Sequence, residues 1–168
     1  MLEIRRFAET DDADEISRIY AQSWKTAYRG MIPDDYLDSL SDRRWSPHVK
    51  ADSKRLLLAV EEGKPVGVST YCAARDEKMR GWGEIISLYL LPSHFHKGIG
   101  TKLFAAAVEA LREEGFCNIY LWVLDKNETA RAFYRKNGFI CSGDVNADNI
   151  GGRAVNELRY IKRTGSGE

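Results

Sequence analysis

GEIISLYLLPSHFHKGIGTKL, residues Gly83–Leu103, reads as an apolar strand, a loop opened by proline, and a glycine pair at the start of a helix. Glu84 is the only acid in it, and from Ile85 to Leu91 the strand is apolar or aromatic except for Ser87. Pro92 cannot donate to a sheet ladder, so the strand is expected to stop there. Gly98 and Gly100 bracket Ile99 where the helix is expected to begin. Glycine lets a backbone approach a ligand closely, and the first turn of a helix presents unpaired N–H groups. With the positive end of the helix dipole, those groups form an anion site suited to phosphate. The stretch therefore predicts a phosphate cradle at a sheet edge, with one carboxylate further back along the strand.

Downstream, a helix is expected from Gly98 to about Glu114, with Ile99, Leu103, Ala106, Ala107, Ala110 and Leu111 as its buried stripe. Gly115 is placed to end it. A strand over Asn118–Val123 follows, and strand, helix and strand together make a right-handed crossover with the two strands parallel. Asn127–Lys136 reads as a short helix, Phe139 to about Val145 as a strand, Asn146–Gly152 as a turn and Ala154–Lys162 as a last strand. Upstream, Lys54–Val60 and Pro65–Ala74 read as a β-hairpin turned at Glu61–Lys64. Before it, Leu2–Phe7 reads as a strand and is followed by a helix capped by Thr10 or Asp11. Short helices are expected at Asp34–Leu40 and Asp42–Lys50, the second capped by Ser41. Trp24, Tyr28, Tyr36 and Trp45 lie in this N-terminal part. Packed core aromatics and the walls of an acceptor pocket (Trp24 and Tyr28 above all) are both open readings of them. The element order predicts one α+β domain over residues 1–163, with a mixed, largely antiparallel sheet and a frayed tail at 164–168.

With 43% hydrophobic and 30% charged residues the chain suits a globular protein, and a formal net charge of zero supplies no global field for nucleic acid or an anionic membrane. The absence of a signal peptide or long apolar run leads to the expectation of a cytoplasmic protein. Cys72, Cys117 and Cys141 have no metal-ligand spacing and read as free, mostly buried thiols. His94 and His96 form a loop pair without further Cys or His partners, too little for a metal site. The glycine loop itself is neither a P-loop, since Gly100-Thr-Lys has the wrong order, nor a dinucleotide fingerprint, since its third glycine falls on Leu103.

The run LYLLPSHFHKGIGTKL followed by NETARAFYRKNGF resembles the GNAT superfamily of acetyl-coenzyme A-dependent N-acetyltransferases. The family's Gln/Arg-x-x-Gly-x-Gly/Ala motif occurs with one change, Phe95 at the Gln/Arg position. The Asn, Ala, Phe-Tyr, Gly-Phe series occurs complete from Asn127 to Phe139. The two motifs stand in the family's order and cover Gly83–Phe139.

The resemblance implies a three-layer α/β/α fold with a splayed parallel strand pair, and acetyl-CoA as cosubstrate. Backbone N–H groups from His96 through Lys97, Gly98, Ile99 and Gly100 to Thr101 would hold the pyrophosphate, with Phe95 leading into the loop. The pantetheine arm would lie along Leu88, Tyr89 and Leu90, and Asn127 would touch the cofactor. Glu84 would act as general base towards the acceptor amine and Tyr134 as general acid towards the departing thiolate, in a direct transfer without a covalent intermediate. The implied acceptor is a primary amine of a small molecule. A protein N-terminus or lysine is an alternative, as is a non-catalytic acyl-CoA-binding module. A homodimer is also implied.

Overall fold

The computed structural model describes residues 1–164. Seven strands form one sheet: β1 (Leu2–Arg6), β2 (Leu56–Glu61), β3 (Lys64–Ala73), β4 (Gly83–Leu90), β5 (Asn118–Leu124), β6 (Ile140–Ile150) and β7 (Arg153–Arg163). Their order is β1-β2-β3-β4-β5-β7-β6, and only β4 and β5 run parallel. The helices are α1 (Ala13–Ala27), α2 (Asp34–Ser39), α3 (Ser46–Ala51), α4 (Ile99–Glu113) and α5 (Glu128–Lys136). This is the expected mixed sheet between helical layers.

Strand alternation divides the core between the two faces of the sheet. Leu57 and Ala59 of β2, Ile85 of β4, and Ile119, Leu121 and Val123 of β5 meet the α4 stripe of Ile99, Leu103, Phe104, Ala107 and Leu111. Leu103 and Leu111 are fully buried, and each such side chain stabilises the fold by about 1.5–3 kcal/mol. The intervening residues Leu56, Leu58 and Val60 face Ile16, Ile19 and Tyr20 of α1 and Val49 of α3.

Two local features shape the middle of the sheet. Thr70 pairs with Ser87 but Tyr71 pairs with Ile85, so Ile86 is an extra residue and β4 carries a bulge. The Ser87 hydroxyl accepts from the Thr70 N–H at 3.1 Å, and the Ser69 hydroxyl donates to the Ser87 carbonyl at 2.8 Å. These bonds hold the bulge in place. β4 and β5 pair only at Gly83–Ile119 and Glu84–Tyr120. Beyond that point they splay apart, and β4 has no strand partner on that side from Ile85 to Leu90.

Several boundaries differ from the sequence reading. The cap of α1 is Asp12, whose side chain accepts from Asp14 N–H, while Asp11 is held by Arg5 through two 2.7 Å bonds. The helix expected at Asp42–Lys50 starts only at Ser46, because Ser41 closes a turn onto the Arg43 N–H. Lys54 and Arg55 belong to a 3₁₀ turn before β2. The turn expected at Asn146–Gly152 shrinks to Gly151-Gly152, both at positive φ (61° and 85°), which join β6 and β7 as one long hairpin. Cys72 is buried, but Cys117 and Cys141 are exposed. Of the expected tail, Thr164 donates its N–H to Cys117 at 2.7 Å, and residues 165–168 lie outside the described residues.

Candidate active site

The glycine turn folds as the composition of Leu91–Thr101 directs. Pro92 starts a short 3₁₀ turn that ends at His94, and the Phe95 N–H is consumed by the Pro92 carbonyl. His96 and Gly98 then take positive φ (60° and 78°), and α4 begins without a side-chain cap. As a result the N–H groups of His96, Lys97, Gly98, Ile99, Gly100 and Thr101 bond to no backbone carbonyl or side chain among the described residues; the next amide, Lys102, is the first to find the Gly98 carbonyl, at 3.3 Å. A Cβ on Gly98 would meet nothing within 4 Å, while one on Gly100 would lie 3.5 Å from Leu90. The turn is thus open at Gly98 and seated on the end of β4 at Gly100. Six consecutive free amides at the positive end of a fifteen-residue helix are a diphosphate-sized anion site. Phe95 adds nothing polar to it, and Lys97 is exposed beside it. His94 turns away from the cradle and bonds Glu61 at 2.9 Å and Ser93 at 2.8 Å.

From this cradle the open edge of β4 leads along Leu90, Tyr89 and Leu88 into the gap beside β5. An acyl-CoA arm requires such a slot: unpaired strand amides and carbonyls on one side, apolar side chains on the other. Tyr134 of α5 closes one wall. Its ring sits 5.5 Å from those of Phe104 and Phe133 and 6.4 Å from Tyr160. Its hydroxyl has no hydrogen-bond partner among the described residues. Burial pushes its pKa well up, and the nearby Tyr89 adds to the rise. Tyr134 is therefore a protonated donor without an acceptor among the described residues, packed against the same core as Leu88 and Leu90 of the open edge. Asn127 caps α5, its Oδ1 accepting the Ala130 N–H at 3.1 Å, which leaves its amide NH2 as the free end.

The other face of the gap is aromatic. Trp24 and Tyr28, at the C-terminal end of α1, meet edge to face at 4.9 Å. Tyr89 lies 5.1 Å from Tyr20, which stacks on Trp45 at 5.7 Å. Burial raises the pKa of both Tyr28 and Tyr89, and each lies close enough to perturb the other. The indole N–H of Trp24 is buried without a hydrogen-bond partner among the described residues, a donor that an acceptor atom of a ligand would satisfy. Of the two open readings of these aromatics, the structure shows the packing of one on another.

Glu84 stands at the closed end of the splay, 2% exposed. It accepts from the Arg75 backbone N–H at 3.1 Å, from Arg75 Nε and Nη2 at 3.1 and 2.7 Å, and from the Tyr120 hydroxyl at 2.9 Å. Burial alone would raise its pKa, but Arg75 and Tyr120 outweigh burial and hold it below the usual carboxylate range. Four donors and a depressed pKa leave little capacity to take an amine's proton directly. This geometry weighs against the base role expected from sequence. It makes Glu84 the anchor of the only paired segment between β4 and β5.

A second carboxylate was missed. Glu157 of β7 sits opposite Leu124 of β5 and Asn146 of β6, on the sheet face that carries Tyr89. Burial pushes its carboxyl up, helped by Asp148 and opposed by the Asn146 amide at 3.3 Å and by Arg75. The sequence signal was available in the alternation of the last strand, where Leu158 and Tyr160 face α4 and Glu157 must face the other way.

Comparison with known proteins agrees with this geometry. Residues 14–139 match the profile of the Acetyltransferase (GNAT) family. An uncharacterized N-acetyltransferase of Bacillus subtilis is 32% identical over 124 residues, 73% of this chain and 72% of that protein. The spermidine N(1)-acetyltransferase of Thermoplasma acidophilum is 26% identical over 147 residues, 82% of this chain and 88% of that protein. Among solved structures, the PaiA N-acetyltransferase of Thermoplasma acidophilum in complex with coenzyme A superposes with a TM-score of 0.77 at 23% identity, covering 97% of this chain and 99% of that one. The Salmonella typhimurium yncA structure with acetyl-CoA gives 0.75 at 19% identity, covering 99% and 95%. A sheet splayed at a bulged strand, a bare glycine-turn helix start and a match over most of the sequence lead to one assignment: this chain belongs to the GNAT family of N-acetyltransferases.

Proposed function

We propose that the protein transfers the acetyl group of acetyl-CoA to a primary amine of a small molecule, directly and within a ternary complex. The observation that carries this reading is the row of six free amides from His96 to Thr101, which opens onto the unpaired edge of β4. The pyrophosphate sits on those amides, and the pantetheine arm follows Leu90, Tyr89 and Leu88 into the splay, with Asn127 at its side. The thioester then reaches the bulge below Tyr134. The structures of relatives with coenzyme A and acetyl-CoA support this placement, and the spermidine-acetylating relative supports a small alkyl amine as acceptor.

The chemistry assigns the remaining roles. An alkyl amine has a pKa near about 10.4, so only about one molecule in 10³ is unprotonated at neutral pH. The acceptor must lose a proton before its nitrogen attacks the thioester carbonyl. A free amide on the open edge of β4, at its bulge end, stabilises the tetrahedral oxyanion, a type of donor whose loss typically costs about 10²–10³ in rate. As the C–S bond breaks, the Tyr134 hydroxyl gives its proton to the sulfur. A thiol-release assay with acetyl-CoA and a panel of polyamines, amino acids, amine antibiotics and peptides tests the proposal. Release with a small alkyl amine supports it. Release only with peptides, or tight coenzyme A binding with no release for any amine, overturns it in favour of a protein acetyltransferase or a binding module respectively.

A further inference from the structure

We propose that Glu157 is the carboxylate that receives the acceptor's ammonium group and takes its proton. This rests on the small-amine reading above. Glu157 projects from β7 at the level where β4 and β5 have already parted, since its register partner on β5 is Leu124, four residues beyond the last β4–β5 pair at Tyr120. Leu124 and Val155, which flank it, pack with Trp24, Tyr28 and Met31. The C-terminal end of α1 therefore covers this part of the sheet and brings aromatic side chains close to Glu157.

Tyr28 and Tyr89 both feel its charge. A carboxylate close to aromatic rings suits an alkyl ammonium, which gains from the charge and from any ring face it can reach. The groups that face Glu157 are Tyr28 from α1, Tyr89 from β4, Asp148 and the Asn146 amide from β6, and Arg75 from the segment after β3, with Arg159 two residues along its own strand. Arg159 is committed to Asp76 at 2.6 Å and Asp144 at 3.1 Å. Among the described residues one amide contact, at 3.3 Å, engages the Glu157 carboxylate, in contrast to the four donors on Glu84. Its raised carboxyl brings its basicity nearer that of a working general base.

The proton ledger closes without a co-reactant. The ammonium gives one proton to Glu157, and the free amine nitrogen forms the new C–N bond. The second proton on that nitrogen leaves to water as the intermediate collapses. The thiolate takes its proton from Tyr134, which is restored from solvent, and Glu157 returns its proton to solvent. One proton is released per turnover.

The test compares Glu157→Gln and Glu84→Gln in the full chain with spermidine and acetyl-CoA. For E157Q, kcat/KM for spermidine at pH 7 is expected to fall about 10²-fold or more, while coenzyme A affinity by calorimetry stays within threefold. The unmutated enzyme should show kcat/KM rising with pH and levelling off well below the amine's own pKa. In E157Q the rise should continue to the amine pKa, and Glu157→Asp should restore the plateau. E84Q should keep the plateau. The inference is overturned if E157Q keeps the wild-type profile and a kcat/KM within threefold, or if E84Q alone moves the plateau. Neither result touches the acetyltransferase reading, which fails only if no amine releases thiol. Should both Glu157 variants lose coenzyme A binding through misfolding, the unmutated protein decides: spermidine affinity in the presence of coenzyme A must weaken as pH falls from 8 to 5, and pH-independent affinity overturns the proposal.

Discussion

Tyr134 and Glu84 are both titrating side chains beside the gap, and their surroundings separate them. Tyr134 has a hydroxyl with no partner among the described residues and a pKa raised by burial, so it stays protonated and free to donate a hydrogen bond, as the proposed acid role requires. Tyr134→Phe is expected to lower kcat about 10²-fold with coenzyme A affinity unchanged, read by thiol release and by calorimetry; an unchanged kcat removes the acid role. Glu84 is locked to Arg75 and Tyr120 and serves stability. Because folding depresses its pKa, the interaction adds stability above the carboxyl's unfolded pKa of about 4.3 and loses it as pH falls through the lower folded value. Thermal midpoints measured from pH 7 down to pH 3 should therefore drop more steeply in the unmutated protein than in E84Q, whose midpoint is already reduced at pH 7. Parallel curves would show that Glu84 contributes nothing through its charge. Glu84 stood out in the sequence because it is the lone acid of an apolar strand. The donors around it come from Arg75 and Tyr120, nine and thirty-six residues away, and nothing local announces them.

Among the elements, α4 and α5 carry most of the candidate site, and both are legible in the sequence. Gly98 and Gly100 mark one start, and Asn127 marks the other. Asn127→Ala removes the cap on the Ala130 N–H and should cost about 1 kcal/mol, read as a lower denaturation midpoint. The same variant tests the cofactor contact, because a loss of coenzyme A affinity beyond that small destabilisation requires a direct role for the Asn127 amide. The polar run Asn146–Asn149 read as a turn because it has no apolar alternation. It forms an edge strand instead, exposed along almost its whole length, where no buried face demands a hydrophobic pattern. Its pairing is set from outside, by β7 and by the Gly151-Gly152 turn. The bulge at Ile86 was also hidden, since it depends on the register with β3 and on the Ser87 hydroxyl.

For the molecule as a whole, the splay requires that β4 and β5 be held at one end and free at the other. Arg159 helps to close the held end. It lies over Trp122 at 4.6 Å and Tyr120 at 5.4 Å, and it joins Asp76, after β3, to Asp144 on β6. Replacing a guanidinium that is 7% exposed leaves Asp76 and Asp144 without their counter-charge. Arg159→Leu should therefore destabilise the fold by about 1–2 kcal/mol, seen as a lower urea midpoint. A midpoint within experimental scatter of the parent would show the network to be dispensable. No helix among the described residues is long and apolar enough to cross a membrane. The account depends most on the grip of the His96–Thr101 amides on a diphosphate, with a thiol arm in the splay. Calorimetric titration of the full chain with coenzyme A, and separately with pantetheine, tests it most directly. The account predicts one coenzyme A bound per chain, with affinity falling as salt rises, and pantetheine at least a hundredfold weaker. No heat with coenzyme A, or equal affinity for pantetheine, would contradict it.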